Sequence, residues 1–417
     1  MSDIPPAPTA GVADVTQAPQ NPQAPQSLHR FGALSLAYFA AIGLFNPFAP
    51  LWFQSLGFST LLIGSIASLQ SWTRVVAPYA WSWAGDHSGR RVELIRIAAV
   101  GALLAALGLL GVEAAVPVAL VTTLLFLANS GVVPLYEATL AHLLNTGEGG
   151  IDTARYGRVR VWGSVGFIVA VVAFGALLQG VGIGIFPWFV AVMNALLLVA
   201  ALRLPRQSDS VQHDSPAPPV LLLLRLPAVR WFFASIFFTV LAHSSVYAFL
   251  SLYLVSLGYR KSAVGALWAV SIAVEIVFFW TQGRWFGWLK PHAWLQVAGA
   301  TAMLRFGATA AGGAYWPVLV VAQAAHAITF AAHHSACIAL VHRHFPGRLR
   351  GRGQALYTTL GYGLSGVLGG VGGGWLIQRL GYAAVFWAAT ACGALGWWCA
   401  RQATRAAAGP ETVTQTG

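Results

Sequence analysis

The sequence contains twelve mainly apolar blocks of about 20 residues each, and these blocks constrain the fold more than any other feature. An apolar helix of about 20 residues spans the hydrocarbon core of a bilayer, where only helices and closed barrels satisfy every backbone polar group. The chain is 57% hydrophobic and 9% charged, whereas a soluble domain has about 25% charged residues. The blocks are 31–54, 60–84, 94–112, 117–143, 158–179, 183–202, 230–256, 263–287, 293–312, 316–341, 354–377 and 382–400. We therefore expect an all-α membrane protein with twelve transmembrane helices.

The longest polar stretch between blocks lies near 203–229 and leaves six blocks on each side. Two six-helix halves of near-equal length are the arrangement of the major facilitator fold. The first residues are rich in Pro, Ala and Gln, and they lack the basic start and apolar core of a signal peptide. We expect a disordered cytoplasmic tail at 1–29, an N-terminal six-helix half at 30–205, a cytoplasmic linker at 206–229, a C-terminal six-helix half at 230–402 and a cytoplasmic tail at 403–417.

The basic residues indicate how the helices are oriented. With both termini in the cytoplasm, nineteen of the 24 Lys and Arg residues fall at cytoplasmic block ends and three on the opposite side. Cytoplasmic loops of membrane proteins carry such an excess, so we predict cytoplasmic termini and a location in the cell inner membrane. Orientation then explains the net charge of +12, and no nucleic-acid partner is needed.

A charged turn, D-x-x-G-R-R, joins the second and third blocks and contains Asp86, Gly89, Arg90 and Arg91. The glycine permits a tight turn, and the Asp and Arg side chains can pair and latch one conformation. The alternative is an ordinary charged turn at a cytoplasmic end. The pattern resembles the signature loop of the major facilitator superfamily, although Ser82 replaces its usual first glycine. The equivalent loop of the second half has no acidic residue.

Charged residues inside the blocks need a reason, because each costs roughly 2.5–3.5 kcal/mol at a helix centre. Glu137 and Arg160 lie on the fourth and fifth blocks, and Glu275 and Arg305 lie on the eighth and ninth. Each half thus offers one acid and one base on consecutive helices. We predict an ion pair between Glu275 and Arg305. The two pairs could bind substrate and transfer protons. Alternatively, they could be structural pairs that allow the helices to insert and pack.

Histidines gather in the second half: His243 on the seventh block, and His326, His333 and His334 on the tenth. His326 and His333 are seven residues apart and are expected to share a helix face, whereas His333 and His334 cannot point the same way. These imidazoles could transfer protons near neutral pH, bind substrate or join helices by hydrogen bonds. No carboxylate lies on the tenth block, so no metal is expected. Glycines crowd the eleventh block, which favours close helix packing.

Several segments resemble known permeases. The segment 46–52, NPFAPLW, and the segments PLYEA at 134–138 and YGRVRVWGS at 156–164 resemble the lactose permease family. A closer resemblance, over roughly residues 30–400, is to the phenylpropionate permease family, a relative of the lactose and nucleoside proton symporters. It rests on AHSSVY at 242–247, GALW at 265–268, Val274-Glu275 and HAITF at 326–330.

This resemblance implies a substrate-binding set and a proton-coupling set. The substrate-binding residues would be Glu137, Arg160, Ser164, Phe167, His243 and Tyr247. The proton-coupling residues would be Glu275, Arg305 and His326. The lactose permease family has its coupling carboxylate three residues after the histidine, where this chain has Thr329. Since Thr329 cannot titrate and Glu137 is assigned to substrate, Glu275 is the predicted coupling carboxylate, modulated by Arg305 and with His326 as a nearby relay.

The function expected from the resemblance is secondary transport by alternating access. The first expectation is proton symport of a small organic solute such as 3-phenylpropionate, driven by the proton gradient and without a cofactor. The alternatives are symport of a sugar or nucleoside, or export of drugs or metabolites. A non-transporting receptor or scaffold would predict an added soluble domain, and an enzyme would need a nucleophile–base or metal constellation that the sequence lacks. We expect a monomer whose partners are substrate, protons and the lipid bilayer.

Overall fold

The computed structural model describes residues 24–144, 152–205, 223–346 and 349–408, and the regular secondary structure of these residues is entirely helical. Each apolar block coincides with a helix or with consecutive helical segments. The helices, numbered here in chain order, are α1 Ala24–Ser55, α2 Thr60–Ser88, α3 Arg91–Gly108, α4 Ala115–Leu143, α5 Thr153–Val181, α6 Phe186–Leu202, α7 Pro227–Ser256, α8 Lys261–Trp285, α9 Pro291–Gly312, α10 Trp316–His344, α11 Arg350–Leu380 and α12 Tyr382–Ala408.

Several of these helices are interrupted. Short 3₁₀ turns follow α3 and α8 and precede α6 and α7, and a break at Ser130 and Gly131 divides α4 into Ala115–Asn129 and Val132–Leu143. Helix α1 contains Pro47 and Pro50. Such residues and breaks remove backbone hydrogen bonds and kink a helix.

Ten of the described helices are long and apolar enough to cross a membrane on length and composition alone. The other two, α2 and α9, are long enough at 29 and 22 residues but more polar. Each carries an arginine near its middle, Arg74 in α2 and Arg305 in α9. A polar helix is tolerated in a bilayer when its polar face is turned toward other helices or a water-filled cavity. Arg305 is buried among helices, and Arg74 lines a cavity.

The ends of the chain differ from the prediction. Helix α1 begins at Ala24, inside the range expected to be a disordered tail, and α12 continues to Ala408, beyond the expected start of the second tail at 403. The last eight described residues are Ala, Arg, Gln and Thr, and the first three of these types favour helix, so the helix outlasts its apolar block. Residues 1–23, 409–417 and most of the predicted linker, 206–222, lie outside the described residues.

The apolar core shows how the two halves meet. At the end of the bundle that carries the termini, helices α1–α6 bury one core and helices α7–α12 bury another. At the opposite end a single core includes residues of both halves, among them Phe48, Phe167, Phe249 and Trp268. Burial of apolar side chains is the main source of cohesion in such a contact. The halves are therefore joined at the end opposite the termini.

Small residues let the two halves approach closely at that end. Gly64 of α2 and Gly370 of α11 face each other with no room for a side chain on either. Around them the Thr60 hydroxyl donates to the Gly374 carbonyl at 3.0 Å and the Ser68 hydroxyl to the Val367 carbonyl at 2.9 Å. Close backbone approach through small residues is the usual way in which helices associate in lipid. The glycine-rich eleventh block therefore packs at the interface between halves.

We predict that Gly370→Val opens this end of the helix bundle. The new side chain would meet the Ser68 hydroxyl and the Gly64 carbonyl, so α2 and α11 must separate. Spin labels on Ser55→Cys and Arg379→Cys, in a chain lacking its three native cysteines, report the distance between the halves at that end. Their distance distribution should lengthen by several ångströms.

Gly372→Val on the same helix is the matched control, because a side chain there meets nothing within 4 Å. It should leave the distance distribution unchanged. A folded Gly370→Val protein with the parent distribution would show that the close approach of α2 and α11 does not hold this end shut.

Candidate functional site

A cavity of about 510 Å³ lies between the two halves, within the range of small-molecule sites. Helices α1, α2 and α5 line it from one half, and α7, α8, α10 and α11 from the other. Its charged and titratable lining includes Arg74, Arg160, Glu275, His326, His334 and Tyr362. Its aromatic lining includes Phe39, Phe167, Tyr247, Trp268, Phe279 and Phe330. The cavity therefore combines apolar ring surfaces with a few charged groups.

Four of the residues predicted to bind substrate line this cavity: Arg160, Ser164, Phe167 and Tyr247. Glu137 lines an adjoining cavity of about 420 Å³ in the N-terminal half. The two cavities share part of their lining, including Phe39, Gln70, Arg74 and Tyr362. The structure thus brings five of the six predicted residues to one connected region between helices α1, α2, α4, α5, α7 and α8.

His243 is the exception, because the structure places it away from both cavities. Its side chain is buried and lines neither cavity. Its Nδ1 donates to the Thr239 carbonyl at 2.8 Å, which leaves Nε2 to accept, and the Thr329 hydroxyl lies 3.1 Å from that Nε2. The physical reason is the rotation of α7, which turns His243 toward α9 and α10. His243 therefore belongs to a structural network around Arg305.

Arg160 is held on two sides by the N-terminal half. Its Nε lies 3.8 Å from Glu137 Oε1, and its guanidinium carbon lies 4.5 Å from the centre of the Phe39 ring. Both ends of the ion pair are about 40% exposed (38% and 41%), so water screens the pair and its contribution to stability is small. The contacts position Arg160 while its remaining donors stay available to the cavity.

The deepest charge in the described residues is that of Arg305, which is 3% exposed. Its Nη1 donates to the Thr329 hydroxyl at 2.8 Å and to His326 Nδ1 at 3.1 Å, and its Nη2 donates to Gln323 Oε1 at 3.1 Å. A further, longer contact of 3.5 Å lies between Arg305 Nη1 and His243 Nε2. A buried charge is tolerated when hydrogen bonds satisfy it, and α10 supplies the three closest acceptors.

Glu275 and Arg305 do not form the direct ion pair predicted from the sequence. The His326 ring lies between them, with its Nε2 3.6 Å from Glu275 Oε2 and its Nδ1 on Arg305. Among the hydrogen bonds and ion pairs of the described residues, none joins the two directly. The reason is that α10 carries an imidazole into the space between α8 and α9. The predicted proximity of His326 to both groups is present in the structure.

The hydrogen bonds also fix where the His326 proton lies. A guanidinium has donors and no acceptor, so His326 Nδ1 must accept from Arg305 and the ring proton must be on Nε2. That N–H points toward Glu275. The Glu275 side chain is 21% exposed and lines the cavity. A carboxylate open to the cavity is thus linked to a buried cation through one neutral imidazole.

A π-helical turn at Ala327–Ala332 in α10 determines which histidine joins His326 at the cavity. Its wider winding shifts the later residues, so His334 faces the cavity and His333 is buried beside Cys337. The expectation that His326 and His333 share a face is therefore wrong. The rings of His326 and Phe330 are stacked at 5.0 Å, and those of Phe330 and His334 at 6.3 Å. Turns of this kind often mark functional sites.

A second π-helical turn, Tyr357–Leu364 in α11, brings two tyrosines to the same region. His334 Nδ1 is hydrogen-bonded to the Tyr357 hydroxyl at 2.8 Å, and that hydroxyl lies 3.1 Å from the Tyr362 hydroxyl. Tyr362 lines both cavities. Sequence reasoning missed these tyrosines because a one-residue change of winding decides which side of α11 they occupy.

Sequence reasoning also left Arg74 without a role. This residue is 14 positions from each end of α2, is exposed and lines both cavities. No ion pair or hydrogen bond of its guanidinium occurs within the described ranges 24–144, 152–205, 223–346 and 349–408. The sequence did contain a signal for this site. Arg74 is an arginine at the middle of a membrane-spanning block that has no acidic residue near its middle.

The predicted latch residues form the turn between α2 and α3. Gly89 ends α2 in the left-handed conformation, with φ of 64°, which favours glycine. Arg91 Nη2 lies 2.7 Å from Asp86 Oδ1, and Arg90 Nη1 lies 3.7 Å from Glu93 Oε2. Asp86, Gly89 and Arg91 are thus brought together, while Arg90 turns to the start of α3. Their role as a conformational latch stays a prediction.

Comparison with known proteins supports the architecture. In structure, the chain resembles a mutant of the nucleoside transporter NupG, with a TM-score of 0.79 at 16% identity, over 91% of this chain and 99% of that one. It also resembles a mutant of the peptide transporter POT, with a TM-score of 0.76 at 12% identity, over 92% of this chain and 95% of that one. At such low identity these matches show the fold alone. They confirm the predicted major facilitator fold.

Comparison of sequences gives the family. The chain is 28% identical over 360 residues to a probable 3-phenylpropionic acid transporter of Escherichia coli (strain K12), covering 84% of this chain and 91% of that protein. It is 28% identical over 370 residues to a maltose permease of Geobacillus stearothermophilus, covering 86% and 90%. The model of the MFS_1 like family matches residues 29–388. The chain therefore belongs to the MFS_1 like family, as a multi-pass membrane transporter of small molecules and not an enzyme.

Proposed function

We propose that this transporter carries a small aromatic carboxylate, such as 3-phenylpropionate, together with one proton. The protein would lie in the inner membrane of the cell, with both termini in the cytoplasm. The observation that carries the proposal is Arg74, a cation at the middle of α2 that faces the cavity. The acidic residues of the region are already engaged, Glu137 with Arg160 and Glu275 with His326. The cavity therefore has one positive charge left for an anionic substrate.

Arg74 and Arg160 suit a carboxylate. Arginine presents paired N–H donors that match the two oxygens of a carboxylate, and hydrogen bonds between charged groups are about twice as strong as neutral ones. Both arginines line the main cavity from the N-terminal half. A single anion between them would gain donors from both and would relieve their mutual repulsion.

The aromatic lining suits the rest of such a substrate. Phe167 of α5 and Trp268 of α8 approach each other from opposite halves, with ring centres 6.4 Å apart. Tyr247 lies 6.2 Å from the same Trp268 ring. Aromatic rings favour edge-to-face or offset contacts with another ring at such separations. A phenyl group held by rings of both halves would be bound on both sides of the cavity during alternating access.

Glu275 is suited to carry the proton. It is the carboxylate of the main cavity lining, and desolvation disfavours the charged form of a carboxyl. The His326 ring lies between Arg305 and Glu275 and transmits the positive charge of Arg305 to Glu275. That charge favours the ionised form of Glu275. A shift of α9 or α10 would change that balance and so release or bind a proton. Since one carboxylate is present there, we infer one proton for each substrate.

The conformation agrees with alternating access. The halves share a core at the end opposite the termini and have separate cores at the other end. With cytoplasmic termini this arrangement is the inward-facing state, in which substrate is released to the cytoplasm during uptake. Rocking of the halves about the central cavity would expose Arg74 and Glu275 to the other side.

A sugar is the second candidate, because identity to the maltose permease is also 28%. Its hydroxyl groups would use Glu137, Asn46 and Gln70 as partners. A thermal stability panel separates the candidates, since a ligand raises the Tm of a protein only by binding its folded state. The panel contains 3-phenylpropionate, its uncharged amide and maltose. The proposal requires stabilisation by the carboxylate alone.

We expect Arg74→Gln to weaken binding of 3-phenylpropionate by about 10- to 100-fold, because a charge-assisted hydrogen bond is lost. Arg158→Gln is the matched control, because Arg158 precedes Arg160 on α5 but lines neither cavity. Affinity is measured by titration calorimetry on the purified proteins. Equal affinity in the Arg74 variant and the control would remove Arg74 from the site.

We expect Glu275→Gln to abolish uphill accumulation of substrate driven by a pH gradient, while exchange of substrate across the membrane continues. Glutamine keeps the shape of the side chain but cannot release a proton. Glu113→Gln, at an exposed position between α3 and α4, should retain both activities. If proteoliposomes with the Glu275 variant still concentrate substrate under the imposed gradient, Glu275 is not the coupling site.

A further inference from the structure

A groove of about 550 Å³ lies on the outer surface of the N-terminal half, between α1, α5 and α6. It is separate from the central cavity and shares no lining residue with it. Small side chains such as Ala33, Ala170 and Ala173 make it concave, and Val169 and Leu196 form exposed apolar walls. At its floor Gly166 meets the backbone of α1 at Leu36. The groove is therefore a built apolar channel that faces the lipid.

The groove has the depth of one lipid leaflet. On α1 its lining runs from His29 to Ala40, and on α6 from Met193 to Arg203. Ten residues of helix rise about 15 Å, which is half of the hydrocarbon core of about 30 Å. The groove starts at the end of the bundle that carries the termini and stops near the middle. An acyl chain of that leaflet would fit along it.

Basic side chains surround the mouth of the groove. His29, Arg30 and Arg203 line it and are exposed. Within the described part of the chain neither arginine has an ion pair. The α6 carbonyls near Arg203 are already capped by Arg96, which donates to the carbonyls of Ala201, at 3.3 Å, and Leu204, at 2.8 Å. Arg30 and Arg203 are thus free to bind an anion from the membrane surface.

We propose that this groove binds one anionic phospholipid from the leaflet on the side of the termini. The phosphate would lie between Arg30 and Arg203, and one acyl chain would follow the small residues of α1 and α5. Basic pockets between transmembrane helices are known to bind acidic head groups. The lipid would brace α1 and α5, the two helices that carry Phe39 and Arg160 to the cavity.

The test measures lipid binding to the purified full chain in a neutral detergent. Native mass spectrometry counts bound phosphatidylglycerol and phosphatidylcholine of the same acyl chains, and the Tm is recorded with each lipid. Two basic residues predict about a 30-fold preference for phosphatidylglycerol. We expect one tightly bound phosphatidylglycerol per monomer, with no binding of glycerol 3-phosphate, which lacks the chains.

Three variants locate the site. Arg30→Gln with Arg203→Gln should lower phosphatidylglycerol binding to the level of phosphatidylcholine. Ala173→Trp fills the groove and leaves the arginines in place, so it should lower binding of both lipids. Arg284→Gln with Lys290→Gln removes two exposed charges at the same end of the other half and should change nothing.

Three results would overturn the proposal. The first is equal binding of the two lipids by the parent protein. The second is equal loss of phosphatidylglycerol in the Arg30–Arg203 variant and in the control. The third is a dimer that persists after the lipid is removed and is lost in Ala173→Trp, because a second copy would then cover the groove.

Discussion

The functional region depends on how one buried cation is accommodated. A guanidinium in the low-dielectric interior of a membrane protein is costly unless hydrogen bonds compensate for the lost water. Arg305 donates three hydrogen bonds, to Gln323, Thr329 and His326, and those acceptors come from a single helix, α10. The arrangement fixes the proton of His326 on the nitrogen that faces Glu275. The charge of Arg305 is thereby transmitted to the cavity without being exposed to it.

The charges of the cavity are consistent with coupling of an anion to a proton. Without substrate and with Glu275 ionised, the charges of Glu137 and Arg160 cancel, as do those of Glu275 and Arg305, and Arg74 leaves one positive charge. Binding of a carboxylate and a proton adds no net charge. The empty and the fully loaded cavities therefore have the same charge, whereas a cavity with only one of the two ligands does not. In this account, equal charge lets both of these states cross the membrane at similar electrostatic cost.

Much of the fold could be predicted from the chain because the bilayer imposes a simple rule on length and composition. The twelve blocks, the division into halves and the charged turn at Asp86 to Arg91 all follow from local sequence. Glu137 and Arg160 were also identifiable, since intramembrane charges on neighbouring helices tend to meet. The direct pairing of Glu275 with Arg305 was wrong because the rotation of α8 and α9 about their axes depends on contacts with α10, which no local pattern in the sequence reveals.

The π-helical turns explain the remaining differences. One extra residue per turn in α10 exchanges the positions of His333 and His334, and a similar turn in α11 brings Tyr362 into the cavity. Both turns depend on packing between helices, and no residue pattern in the chain marks them. Arg74 was visible as an intramembrane charge, but its lack of a partner could only be seen once the surrounding helices were placed.

The most direct test of the account compares two driving forces in proteoliposomes that contain the parent protein. One carboxylate anion moving with one proton carries no net charge. An imposed pH gradient, alkaline inside, should therefore drive accumulation of 3-phenylpropionate, and a potassium diffusion potential set by valinomycin at equal pH should not. Accumulation driven by the membrane potential alone, or the absence of any response to the pH gradient, would contradict the coupling of one proton through Glu275 to one anion at Arg74.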